Sequence, residues 1–98
     1  MSQPDADVTV RDNPDKSRYE AIVDGATAGF ATYERHDGLI AFLHTEVDDA
    51  YEGQGIGHVL VQQSLHDVRH KELTVRPVCP FYKKFFSEHP EYADLLGN

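Results

Sequence analysis

At 98 residues the chain has room for one domain with one modest core, and none for separate catalytic and cofactor domains. Seventeen acidic against nine basic residues give a formal net charge of −8. That argues against broad nucleic-acid binding, which needs a cationic surface, and suits a cationic partner such as an amine or basic peptide, or plain solubility.

The hydrophobic share of 40% and the aromatic share of 10% are ordinary for a globular domain. A single cysteine, Cys79, allows no internal disulfide and points to a reducing compartment. No early apolar run resembles a signal peptide and no stretch is long enough for a bilayer, so a cytoplasmic protein without a membrane partner is expected.

Residues 1–7 are polar, acidic and interrupted by Pro4, and read as a loose terminus. Residues 8–11 predict a short first strand, with a turn at Asn13-Pro14-Asp15. Residues 18–23 alternate in hydropathy, and Asp24-Gly25 suits the positive φ angles of a tight hairpin. Residues 28–33 form the returning strand, His36-Asp37-Gly38 the next turn, and residues 39–47 another strand, giving an antiparallel meander.

An acidic loop follows at residues 48–52, then glycines at 53, 55 and 57. A helix is predicted from Gly55 or Gly57 to His70, with Ile56, Val59, Leu60 and Gln63 on one side and Val61, Leu65 and Val68 widening the apolar face. Residues 73–75 predict a short strand closed by Pro77. Residues 81–88 predict a second helix entered through Pro80, and residues 91–96 a last helical turn or two before Gly97. Strands, glycine loop, helix, strand and helix in that order make an α+β domain with one strand-to-helix crossover.

The strand–glycine loop–helix segment is where chemistry can reside. A helix begins with unpaired N–H groups and a partial positive charge, and glycines let a phosphate approach the backbone closely. Gly53, Gly55 and Gly57 have that spacing, although a tight turn into the helix explains the same three glycines. There is no Gly-Lys-Ser/Thr ending of a nucleoside-triphosphate loop, and the spacing fails the dinucleotide fingerprint.

Residues 39–60 resemble the acyl-CoA-binding motif of the GNAT superfamily of N-acetyltransferases, a strand followed by Arg/Gln-x-x-Gly-x-Gly/Ala and a helix. Here it reads Glu52-Gly53-Gln54-Gly55-Ile56-Gly57, with Glu52 in the usual Arg/Gln place. A closer resemblance, to the compact GNAT-like subgroup, runs through Phe42-Leu43-His44-Thr45-Glu46-Val47, Arg76-Pro77-Val78-Cys79-Pro80-Phe81-Tyr82 and His89-Pro90-Glu91-Tyr92. In that subgroup a Glu before the first glycine is usual.

The resemblance implies a mixed, mostly antiparallel sheet with splayed central strands and two to three helices. It further implies acetyl-CoA as cofactor. The backbone of Thr45, Glu46 and Val47 would hold pantetheine, and the amides of Gln54, Gly55, Ile56, Gly57 and His58, in a loop begun by Gly53, would hold the pyrophosphate.

Four residues are candidates for the chemistry. Cys79 precedes a helix start, where a thiol can ionise more readily, and the resemblance sets it near the acyl end; its alternative is a buried small apolar residue. His44 and Glu46 share one strand face and can take a proton from an amine, or His44 can be a core histidine. Tyr82 can protonate the leaving thiolate, as tyrosines often do in this superfamily, or pack with Phe81, Phe85 and Phe86.

His66, His70, Cys79 and His89 lack a compact four-ligand spacing, so no metal is expected. The leading function is an N-acetyltransferase acting on an amine. The alternatives are a CoA-binding module without turnover and an interaction domain. Larger members of the superfamily it resembles wall the acceptor site with N-terminal helices, whereas the residues before the motif here read mainly as strands, so the resemblance implies an acceptor groove that is either open or completed by another subunit.

Overall fold

Two Asp-Gly pairs shape the first half of the molecule. The computed structural model describes residues 8–96. At Asp24-Gly25 (φ 50° and 81°) and Asp37-Gly38 (φ 33° and 80°) both central residues are left-handed, as a two-residue hairpin demands. Strand β2 (Arg18–Val23) therefore returns directly as β3 (Ala26–His36), and β3 as β4 (Leu39–Val47). The first strand, β1 (Val8–Asn13), pairs with β2 after a 3-10 turn at Pro14–Lys16.

Because the turns are so short, β3 runs from 26 to 36 rather than the 28–33 expected, and β1 extends to Asn13 rather than stopping at residue 11. The crossover helix α1 (Ile56–His70) leads to β5 (Thr74–Pro77), which pairs in parallel with β4. Helix α2 (Pro80–Glu88) and a 3-10 segment (Pro90–Leu95) close the chain. The sheet order is β1-β2-β3-β4-β5, antiparallel except for its last pair. The expected terminus at residues 1–7 and the stop at Gly97 lie outside the described residues.

Both helices cover one face of the sheet. Helix α1 packs on β1 to β4. Tyr82 of α2 stacks on Phe42 of β4 at 4.1 Å and meets Ser64 of α1 at 2.7 Å. On α1 the buried residues are Ile56, Gly57, Leu60, Val61, Ser64, Leu65 and Val68. Gln63, expected on the apolar side, is exposed and Val59 half-buried. The stripe instead passes through Ser64, whose hydroxyl is satisfied inside the core.

A five-residue polar chain ties α1 to the meander. Tyr19 and Tyr33 each donate to a carboxylate at 2.5 Å, Asp67 and Asp12 respectively, and Lys71 bridges the two carboxylates at 2.9 and 3.1 Å. Burial, reinforced by the neighbouring carboxylates, raises both phenols well above their ordinary pKa. Burial opposes the charge on Asp67, but bonds from Tyr19 and Lys71 outweigh it and hold the carboxyl below its usual range. On the opposite sheet face Glu20 is 3% exposed, held by Arg18 at 2.8 Å, Asn13 at 3.1 Å and Arg11 at 3.5 Å. No described helix is long and apolar enough to cross a membrane.

Candidate coenzyme and acyl-transfer site

The parallel pair β4–β5 opens after four rungs, from Leu39↔Thr74 to Phe42↔Pro77. The amides of Val78 and Cys79 both donate to the Phe42 carbonyl, at 3.0 and 2.8 Å, and the chain turns away into α2. Strand β4 continues for five more residues, paired with β3 alone, after a bulge at Leu43. The result is a V-shaped gap with one wall made by residues 43–47. The peptide groups of this wall that face the gap are available to an extended ligand.

The glycine loop lies at the wide end of that gap. Asp48 caps a 3-10 turn (Asp49–Tyr51) by accepting from the Ala50 amide at 2.9 Å. Gly53 (φ 84°) and Gly55 (φ 74°) then take left-handed conformations that bring the chain into α1. The first amide of the helical ladder is that of Val59, bonded to the Gly55 carbonyl at 3.1 Å. Among the described residues no acceptor engages the amides of Gly53, Gly55, Ile56, Gly57 or His58. The Gln54 amide, expected to join them, closes a turn onto the Tyr51 carbonyl at 3.3 Å instead.

Gly57 is explained by crowding rather than by backbone conformation. A Cβ there would lie 2.6 Å from Cζ and 2.7 Å from Cε2 of Phe81. Phe81, expected in a core stripe with Phe85 and Phe86, is 40% exposed, with the tip of its ring on Gly57. The other two phenylalanines are buried.

The four catalytic candidates divide between the two sides of the sheet. Thr45 points toward the helices and its hydroxyl lies 3.3 Å from Cys79 Sγ; Cys79 is 3% exposed at the foot of the V. His44 and Glu46 project from the opposite, uncovered face, both exposed and 2.8 Å apart. That outward pairing excludes the reading of His44 as a core histidine. Glu46 also borders a shallow recess with Arg18, Phe30 and Asp48.

Tyr82 is fully buried, and burial pushes its phenol above the ordinary range. Tyr82 packs in the core as its neighbours suggested, with its ring on Phe42 and its hydroxyl against Ser64. Ser64, its partner, went unnoticed in the sequence, where a lone serine in an apolar helix stripe was the available signal. Two further histidines have local partners: His66 meets the Tyr92 hydroxyl at 3.2 Å and His89 stacks on Phe85 at 4.2 Å. A recess of about 570 Å³ between β1 and α1 is far from the glycine loop, and its carboxylates are already paired with Lys71, Tyr19 and Tyr33.

A mixed sheet that opens at its parallel pair, with a glycine turn leading into the adjoining helix, defines the GNAT-like α+β class. The family model described as GCN5-related N-acetyl-transferase matches residues 18–95. The chain belongs to that family.

Among curated proteins it is similar to Protein NATD1 of Bos taurus, 36% identical over 60 residues, covering 59% of this chain and 53% of that protein. It is also similar to Protein NATD1 of Homo sapiens, 35% identical over 60 residues, covering 59% and 53%. The matched region thus spans about half the length of these relatives.

Among solved structures, a GCN5-like protein from Staphylococcus aureus shares the fold with a TM-score of 0.68 and 22% identity, covering 100% of this chain and 92% of that one. Ard1 from Thermoplasma volcanium follows with 0.54 and 24%, covering 62% and 43%.

Proposed function

We propose that the protein is an N-acetyltransferase that moves an acetyl group from acetyl-CoA to an amine, free or carried on a peptide. The observation that carries this reading is the set of five unengaged amides at Gly53, Gly55, Ile56, Gly57 and His58, at a helix N-terminus beside the open wall of β4. Backbone N–H groups and a helix dipole suit a pyrophosphate even beside acidic side chains. The open peptide groups of Thr45, Glu46 and Val47 suit the pantetheine amides.

The coenzyme supplies an acyl group activated as a thioester. Cys79 borders its acyl end in this reading, and the first amides of α2 stabilise the negative charge that develops on the carbonyl oxygen. The amine approaches from the uncovered sheet face, where the His44–Glu46 pair accepts its proton. The new N–C bond replaces the C–S bond, and CoA leaves as a thiolate that regains, through solvent, the proton the amine gave up. The acidic surface favours a cationic acceptor, and the single buried thiol suits a reducing cytoplasm.

A second reading, a CoA-binding module without efficient turnover, is favoured by the separation of the candidates and by the engagement of the Tyr82 hydroxyl with Ser64. Amide shifts during an acetyl-CoA titration, followed by thiol release with a polyamine and a lysine peptide, decide among the readings. Shifts at residues 53–58 with amine-dependent release support the enzyme. Shifts without release support the module, and no shifts in the loop overturn both.

A further inference from the structure

The uncovered face of the sheet carries three side chains in register. Glu20 of β2, Phe30 of β3 and Glu46 of β4 are direct cross-strand partners, so the half-buried Phe30 ring stands between two carboxylates. On the Glu20 side the arrangement is complete. Arg18 bonds Glu20 at 2.8 Å and sets its guanidinium over the Phe30 ring, 4.4 Å from the centroid. Carboxylate and ring face together hold a cation, and here the cation is the protein's own arginine.

On the Glu46 side the same arrangement lacks its cation. A recess of about 180 Å³ is walled by Phe30, Glu46 and Asp48, with Arg18 and Thr27 also lining it. The Arg18 charge is already met by Glu20. Among the described residues no Lys or Arg lies within ion-pair distance of Glu46 or Asp48. One oxygen of each carboxylate is engaged, Glu46 Oε2 by the His44 imidazole and Asp48 Oδ1 by the Ala50 amide. The remaining oxygens, beside an aromatic ring, form a seat for a small cation brought from outside.

We propose that this recess holds the second ammonium group of the acceptor, and that the acceptor is a small alkyl diamine. The inference rests on the acetyltransferase reading above and deepens it by naming the acceptor. Glu46 belongs both to the recess and to the pair that accepts the proton, so the seat adjoins the place where the reacting nitrogen arrives. One nitrogen stays protonated against Phe30 and Asp48. The other attacks as its free base, forming the N–C bond as the C–S bond breaks, and the product is a mono-acetylated diamine with one charge left. A chain of net charge −8 also attracts a dication more strongly than a monocation.

The test has a binding arm and a turnover arm. In the first, amide shifts are followed during titration with 1,4-diaminobutane and with uncharged 1,4-butanediol; the diamine should move residues 27–30 and 46–48 and the diol should not. In the second, kcat/KM with acetyl-CoA is compared for 1,4-diaminobutane and 4-amino-1-butanol, which replaces one amine by a hydroxyl. The diamine should be favoured by about fivefold, the value of one exposed cation–π contact with one exposed ion pair. Asp48→Asn retains an oxygen for the Ala50 amide and should bring the ratio toward one, as should Phe30→Leu, which removes the ring but keeps apolar bulk. Glu34→Gln, an exposed position farther along β3 outside the recess, should keep the ratio. Absence of diamine shifts in the recess, equal use of the two amines by the parent, or a ratio that survives both Asp48→Asn and Phe30→Leu overturns the inference, while acetyl-CoA shifts at residues 53–58 leave the coenzyme reading intact. Recess shifts without thiol release from either amine overturn the enzyme reading and the acceptor role together.

Discussion

The phenol of Tyr82 donates a hydrogen bond to Ser64, 2.7 Å away, because the Ser64 hydroxyl already donates to the Val61 carbonyl at 2.8 Å. A serine hydroxyl has one proton, so these two bonds fix the direction of the chain. The phenol proton is committed to the core, and the ring is locked by its stack on Phe42. Tyr82→Phe is therefore expected to keep turnover within a few-fold of the parent and to cost about 1 kcal/mol of stability. Ser64→Ala leaves a buried phenol without an acceptor and should cost more, about 1–3 kcal/mol, but less when Tyr82 is already Phe. Denaturant melts of the two single variants and the double variant check the order, and a collapse of kcat in Tyr82→Phe would restore the phenol as general acid.

The Gly57–Phe81 contact gives a prediction of sign. Gly57 is the second residue of α1, where glycine is less favourable than alanine by up to about 1 kcal/mol, and its Cβ position is filled by the Phe81 ring. Gly57→Ala alone should destabilise, because the ring must move. In a Phe81→Ala background the same change should stabilise by up to about 1 kcal/mol. Thermal melts of the four proteins measure the reversal. If Gly57→Ala has the same effect in both backgrounds, Phe81 is not what requires glycine at 57.

Acid should loosen the sheet through Glu20. Burial opposes its charge, but bonds from Arg18 and Asn13 and the nearby Arg11 outweigh this and lower its pKa below the usual carboxylate value. A carboxyl depressed in the folded state stabilises fully above its unfolded pKa, near 4.3, and loses that contribution as pH falls through the folded value. Asp67, depressed by Tyr19 and Lys71, acts in the same direction. Melting temperature should therefore fall steeply below about pH 4. Glu20→Gln should lower it at pH 7 and flatten the acid limb; an unchanged limb would show that Glu20 does not supply it.

Much of this architecture was legible in the sequence, for identifiable reasons. Asp24-Gly25 and Asp37-Gly38 specify hairpin turns chemically, so the meander and the open glycine turn could be read from residue type alone. Alternation also placed His44 and Glu46 on one strand face. It did not say which face the helices would cover, and that decides that Thr45 meets Cys79 while His44 looks out to solvent. Gln63 and Ser64 differ by one position on α1, and helical periodicity does not resolve which of them a neighbouring helix will bury. Phe81 escaped for a related reason: docking of α2 against Gly57 draws that ring out of the aromatic stripe, a tertiary effect with no local signature.

Cys79 allows the sharpest test of how the acyl end is handled. Its sulfur is buried at the foot of the V, 3.3 Å from the Thr45 hydroxyl, and its amide is held by the Phe42 carbonyl. It also stands at the N-cap of α2, with Pro80 beginning the helix. A nucleophile that forms a covalent acyl-enzyme must reach the thioester carbonyl as a thiolate, whereas this thiol is walled in and engaged by Thr45. A positional role fits better, with the sulfur shaping the end of the acyl channel. Cys79→Ala should then lower turnover by about tenfold without abolishing it, since misplacing a bound acyl group by a fraction of an ångström is costly to rate. Mass spectrometry after incubation with acetyl-CoA should find no acetyl adduct on the parent. Saturating CoA should slow alkylation of the thiol. A trapped adduct together with complete loss of turnover in Cys79→Ala would establish the relay instead, and alkylation indifferent to CoA would remove Cys79 from the site.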